Sequence, residues 1–284
     1  MHFNLQLRGF SSMKASVKIE NNFHTQVCAY TPQTCFAQRT WARKGIIMLE
    51  IKNFTKTYNN TKKAVDNLTL TVEAGDIYGF IGHNGAGKTT TLRAIAGVLD
   101  FTEGEILING ISIKKDPVAC KKLTAYIPDN PDLYEHLTGI QYLNFIGDLF
   151  EVAKSDRETR IKKFADAFDI TQNLGDSIGS YSHGMKQKLA IISALIHKPK
   201  LMLLDEPFVG LDPKASHLLK TFMSELCAEG SAIFFSTHVL EVAEKLCNKI
   251  AIIKGGKLIS SGLTNDVKGN QSLEEVFMEL VDEK

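Results

Sequence analysis

Apolar positions along the chain follow two rhythms. From Met48 the first is strand-like. Leu49, Ile51 and Phe54 open an edge strand, and Leu68, Leu70 and Val72 alternate with Thr69 and Thr71 in a second. Glu73-Ala74-Gly75-Asp76 reads as a turn and the run from Ile77 to Ile81 as a buried strand. A glycine-rich loop then leads into a helix over about Lys88 to Ala96, with Gly97 placed as its C-terminal stop. Further strands are predicted at Glu105–Ile108, Leu201–Leu204, Ala232–Phe235 and Ile250–Ile253. The last pairs with Lys257–Ser260 across Gly255-Gly256, a two-residue hairpin signal. Between about Asp132 and His197 helical spacing takes over: Ile140, Leu143, Ile146 and Leu149 form one stripe, and Ile161, Phe164 and Phe168 another. The pattern predicts an α/β domain over 48–284 with a helical subdomain inserted at about 130–197.

Composition narrows the classes. At 284 residues, with 44% hydrophobic and 23% charged, the chain can bury a sizeable core. No apolar run approaches the roughly 18–20 residues of a membrane-spanning helix. Residues 1–47 stand apart, with six Lys/Arg against the single acid Glu20, so they carry +5 and leave the body at −4 for a chain net of +1. A mildly acidic body gives no support for nucleic-acid binding. The first 47 residues have no strand or helix period, and their composition suits either an organelle transit segment or an upstream stretch absent from the native protein. They are set aside as a basic extension, with Met48 or a residue close to it expected as the native start. The five cysteines show no metal spacing and read as reduced thiols.

The chemistry begins at Gly82-His83-Asn84-Gly85-Ala86-Gly87-Lys88-Thr89, which fits G-x-x-x-x-G-K-[ST], the phosphate-binding P-loop. Its glycines let backbone N–H groups turn toward a phosphate, and the helix that follows adds a partial positive charge. Lys88 can then reach β- and γ-phosphates, the Thr89 hydroxyl can ligate Mg²⁺, and Thr90 belongs to the same cradle. Leu201-Met202-Leu203-Leu204-Asp205 is an apolar strand ending in a carboxylate, the Walker B arrangement. Asp205 would hold the metal shell, and Glu206 stands where it could orient or deprotonate an attacking water.

Further segments resemble the ABC ATPases. Tyr181-Ser182-His183-Gly184-Met185-Lys186-Gln187-Lys188 is similar to that family's signature, usually Leu-Ser-Gly-Gly-Gln, and Ser182 is also a good helix N-cap. Val209-Gly210-Leu211-Asp212 resembles the D-loop, and Ser236-Thr237-His238 the switch-histidine segment. Tyr58 stands where the family places an adenine-stacking aromatic. Tyr126-Ile127-Pro128-Asp129 resembles the Q-loop with Asp129 in place of glutamine, an oxygen ligand able to face Mg²⁺ directly or through water. His183 and Met185 depart from the signature, while Ser182 and Gly184 are retained. Ser272-Leu273-Glu274-Glu275-Val276-Phe277 resembles the C-terminus of exporter-type, Ecs-like members.

The resemblance implies a P-loop NTPase core with an antiparallel β flank and an inserted helical subdomain. It implies an ATPase using ATP and Mg²⁺. Lys88, Glu206 and His238 would be catalytic, and Thr89, Asp129 and Asp205 would serve the metal. Nucleotide would lie against Tyr58, the loop from Gly82 to Thr90, and Asp129. Ser182 and Gly184 are expected to serve the ATP of a second ATPase subunit, a copy or a paralogue. A separate membrane-spanning subunit would carry the transport, with export the expected direction and this chain peripheral on the cytoplasmic face. The alternative, an ABC-type ATPase acting on nucleic acid or ribosomes, would need coiled coils or a second cassette, and neither is seen.

Overall fold

The computed structural model describes residues 45–59 and 62–282. The basic extension therefore lies outside the described residues up to residue 44. In chain order the strands are β1 (Ile47–Tyr58), β2 (Lys62–Glu73), β3 (Ile77–Ile81), β4 (Glu103–Ile108), β5 (Ile111–Ser112), β6 (Thr124–Ile127), β7 (Leu201–Asp205), β8 (Ala232–Thr237), β9 (Lys249–Lys254) and β10 (Lys257–Leu263). The helices are α1 (Lys88–Ile95), α2 (Pro117–Leu123), α3 (Gly139–Leu149), α4 (Lys154–Phe168), α5 (His183–Ile196), α6 (Pro213–Ala228), α7 (Leu240–Leu246), α8 (Thr264–Lys268) and α9 (Leu273–Asp282).

Among the described residues the strands make two sheets. The antiparallel one has the order β2-β1-β4-β5, so β1 is an inner strand paired on both sides rather than the expected edge. Alternation along one strand cannot tell whether one or two neighbours flank it. The spacing of its core residues has a further cause. Ile51 and Phe54 are three apart and would point to opposite faces of a regular strand. A register shift between them, with Asn53 at φ 50°, brings both to full burial. Pairing also begins one residue before Met48, at Ile47 opposite Glu73, and the Ile46 carbonyl accepts from Ala74 N at 2.8 Å.

The larger sheet has the order β10-β9-β3-β8-β7-β6, parallel except for β10, which returns antiparallel to β9 across the expected Gly255-Gly256 hairpin. Its inner strands alternate between two cores. Ile81, Leu204 and Phe235 face the cluster that includes the helical segment, while Phe80, Leu203 and Phe234 face the cluster shared with the antiparallel sheet. Parallel pairing sets the C-terminal ends of β3, β7 and β8 side by side, with Ile81 opposite Thr237 and Asp205 opposite Ser236. That edge is where ligands of such sheets collect.

The helical segment forms as its caps and stripes require. Thr138 and Gln141 close a reciprocal capping box at the start of α3, and Ile161, Phe164 and Phe168 bury one face of α4. Leu149 leaves the predicted α3 stripe and is 58% exposed; the next residue, Phe150, ends the helix and stacks on His197 with ring centroids 3.8 Å apart. The strand β6 and helix α2 were not expected. No helix among the described residues is long and apolar enough to cross a membrane.

Candidate active site

The loop from Gly82 to Gly87 joins buried β3 to α1, and glycine is needed there for two reasons. A Cβ on Gly82 would lie 2.5 Å from the Ile253 carbonyl oxygen. At Gly87 a Cβ would come as close to the Ala64 carbonyl, and the residue holds φ +109°. Gly87 caps α1 without a side chain, leaving the first N–H groups of the helix free for an anion. Lys88 is buried, and its ammonium donates to the carbonyls of Gly82 at 2.6 Å and His83 at 3.4 Å.

Opposite the loop, β7 ends in Asp205, which is 1% exposed. Ser236 on neighbouring β8 donates a hydrogen bond to Asp205 Oδ1, and Asp205 Oδ2 has no hydrogen-bond partner. Burial pushes this carboxyl above the usual carboxylate range. The Ser236 and Thr89 hydroxyls pull it partway back, and the nearby Asp129 and Glu206 carboxylates push it up again. Glu206 sits in the left-handed region at φ 47°, with its N–H held by the Ser236 carbonyl and hydroxyl. That backbone turn aims its Oε1 to 2.9 Å from His238 Nδ1 and 3.5 Å from Lys88 Nζ, close contacts without hydrogen-bond alignment. A strained backbone at one carboxylate is the kind of local cost that functional sites carry.

These groups share a cleft of about 680 Å³. It gathers Tyr58, His83, Asn84, Gly85, Gly87, Lys88, Thr89, Thr90, Asp129, Asp205 and Glu206 from the sequence-derived set. Gly82 and Ala86 lie buried beneath the loop, and His238 reaches the cleft through Glu206. Ser182 and Gly184 do not line the cleft. Ser182 caps α5, accepting from Met185 N at 3.3 Å, and a Cβ on Gly184 would meet the Gly210 carbonyl at 3.0 Å. Ser236 was missed as the support of Asp205, although the Ser-Thr-His segment contains it. Lys63, Ala64 and Gly255 also line the cleft, and no local pattern marks them.

A hard divalent cation suits this donor set: the unpartnered Asp205 Oδ2, the Thr89 hydroxyl and Asp129 are all oxygen donors. Among the described residues no three acidic, histidine or cysteine side chains are grouped to hold a metal by themselves, so water or ligand oxygens would complete the shell.

The family described as "ABC transporter" matches residues 65–209. The chain is 36% identical over 213 residues to the uncharacterized ABC transporter ATP-binding protein YhcH of Bacillus subtilis (strain 168), covering 75% of this chain and 68% of that one. It is 33% identical over 241 residues to the ABC-type transporter ATP-binding protein EcsA of the same organism, covering 83% of this chain and 97% of that one. A solved structure titled as the ATP binding subunit of an ABC transporter superposes with a TM-score of 0.79 at 34% identity, covering 82% of this chain and 99% of that one. The fold thus agrees with the relatives, and the chain belongs to the ATP-binding proteins of the ABC transporter family.

Proposed function

We propose that this chain hydrolyses Mg²⁺-ATP to drive export through a separate membrane-spanning subunit, working in a pair of ATPase subunits. The observation that supports it most is the convergence of Lys88, Thr89, Asp205 and Glu206 on one cleft, with His238 touching Glu206. Bound phosphate would replace the Gly82 and His83 carbonyls and the Glu206 carboxylate as partner of the Lys88 ammonium. Thr89, Asp205 and Asp129 would hold Mg²⁺, which neutralises charge on the phosphates. Glu206, released from Lys88, accepts a proton from the attacking water, and His238 keeps that carboxylate oriented. Tyr58, 40% exposed at the cleft edge, offers a ring face for adenine.

Ser182 and Gly184 stand outside the cleft, at the start of α5, where free N–H groups and the helix dipole favour an anion. The divided site of the family supplies that anion: the γ-phosphate held by a second ATPase subunit. Asp129 follows β6 and leads toward α3, a position from which nucleotide occupancy reaches the helical segment. An apolar groove of about 420 Å³ lies between the two regions, lined by Val98, Val118, Tyr126, Leu149 and Phe150. This groove suits a cytoplasmic segment of the membrane subunit. The C-terminal resemblance to exporter-type members supports the direction of transport. The ATPase domain is taken as 48–284, with 1–47 a dispensable extension.

The test is to isolate the chain from the membrane fraction with whatever integral polypeptide accompanies it, and to measure ATP-driven transport in vesicles. Transport that needs Mg²⁺ and is lost with Lys88→Ala supports the reading. A chain recovered without any integral partner, or with transport indifferent to Lys88→Ala, contradicts it.

A further inference from the structure

The helix α9 lies beyond every motif that names the family's chemistry, yet it reaches the phosphate loop. Ser272 and Glu275 start it with reciprocal bonds, Glu275 N to Ser272 Oγ at 3.2 Å and Ser272 N to Glu275 Oε2 at 2.8 Å. Leu273 N donates to Glu244 Oε2 at 3.0 Å, which ties α9 to α7, the helix that follows His238. Leu273 and Phe277 are buried. The ring of Phe277 then meets the imidazole of His83 nearly edge to face, with centroids 5.0 Å apart and planes at 66°. His83 is exposed, so this contact is made by a loop residue whose side chain is otherwise open to solvent.

We propose that α9 is part of the nucleotide site, with Phe277 as a positioning residue that holds the phosphate loop through His83. The backbone of His83 shows what the contact controls. Its carbonyl accepts from Ala86 N at 3.1 Å and from Lys88 Nζ at 3.4 Å, and the adjoining Gly82 carbonyl accepts from Lys88 Nζ at 2.6 Å. The peptide that carries His83 is thus the anchor of the Lys88 ammonium before phosphate arrives. Fixing the His83 ring restrains that peptide, keeps the loop preformed, and lowers the ordering cost that nucleotide would otherwise meet. Because α9 is bonded to α7 as well, the same helix braces the loop and the element behind His238.

The proposal rests on the nucleotide reading of the cleft, and the experiment separates the two. Equilibrium titration of the full chain with a fluorescent ATP analogue, alongside thermal melts, compares wild type, Phe277→Leu, His83→Ala, the double variant and His83→Phe. Each of the first two single variants should bind roughly three- to tenfold more weakly, the range expected for one aromatic pair. The double variant should bind no more weakly than the weaker single one, and His83→Phe, which keeps a ring against Phe277, should recover most of the affinity that His83→Ala loses. His83→Ala changes an exposed position and keeps the test open if Phe277→Leu unfolds. Lowered melting temperature with unchanged affinity would make Phe277 merely structural and overturn the proposal. Additive losses in the double variant would do the same. So would a His83→Phe chain as weak as His83→Ala, which would show the imidazole itself meeting nucleotide. A wild-type chain that fails to bind the analogue would instead sink the nucleotide reading.

Discussion

Glu206 is held by the backbone more firmly than by its own side chain. Its left-handed φ and the two bonds that its N–H donates to Ser236 set the carboxylate against Lys88 and His238. Glu206→Gln removes the proton acceptor and leaves the loop, Lys88 and the metal donors in place. Turnover should fall by about 100-fold or more with ATP still bound, as read by steady-state hydrolysis against analogue titration. Gly87→Ala acts on the cradle instead. A Cβ there would sit 2.5 Å from the Ala64 carbonyl at φ +109°, so the loop must shift. Stability should drop by about 1–3 kcal/mol, and losing two cradle bonds of about 1 kcal/mol each weakens ATP binding by tenfold or more. Denaturant unfolding and titration check both halves. The phosphate loop and the Asp205-Glu206 pair were legible in the sequence because their chemistry demands fixed spacing on one short stretch. Ser236 was not, since its claim on Asp205 arises only where β8 pairs with β7. Lys63 and Gly255 enter the cleft from elements whose sequences carry no sign of it.

At the scale of elements, the joint between α3 and α5 carries a half-buried histidine. His197 follows α5 and stacks on Phe150. Burial lowers its pKa to about 4 from the ordinary 6.5; the backbone of Ser193 and Thr124 pulls the other way, and the Arg160 guanidinium, bonded to the Ile196 carbonyl, adds to the lowering. Because the folded value lies below the unfolded one, the unfolded chain binds more protons between those pH values. Stability from the neutral ring is therefore complete above about pH 6.5 and is lost as pH falls toward 4. His197→Phe keeps a stacked ring and removes the proton. Relative to this variant, wild type should lose roughly 1–3 kcal/mol between pH 6.5 and pH 4, measured by urea unfolding across that range. A constant difference would contradict the assignment. Element prediction from sequence succeeded where runs were long or capped, as at β3, β7, β8, α1 and the Ser182 cap of α5. It failed at β6, four residues whose strand character comes from pairing with remote β7. It also misplaced β1 at an edge, because a bulge and a second neighbour are properties of the sheet and not of the strand's own pattern.

Over the whole molecule, cutting the chain at Met48 removes the Ile46 carbonyl that accepts from Ala74 and the Ile47–Glu73 pair, while Leu49 to Tyr58 keep their partners. The shortened chain should fold and bind ATP like the full one. At about 1 kcal/mol for each lost bond, its melting temperature should fall by a few degrees, roughly 2–4 °C per kcal/mol for a domain of this size. Loss of nucleotide binding would show the preceding segment to be structural. The α/β pattern with its helical insertion was legible from periodicity, and the antiparallel flank and the order of the motifs from the family resemblance. The resemblance already assigned Ser182 and Gly184 to the ATP of a second subunit, and the packed chain keeps both away from its own cleft. From that separation comes the central claim, that one chain supplies half of each site. Sedimentation of Glu206→Gln with and without Mg²⁺-ATP tests it most directly. The account predicts a monomer that becomes a dimer on adding Mg²⁺-ATP, and a Ser182→Arg second substitution that abolishes the dimer while ATP remains bound. A Glu206→Gln chain that binds Mg²⁺-ATP and stays monomeric at every concentration would contradict it.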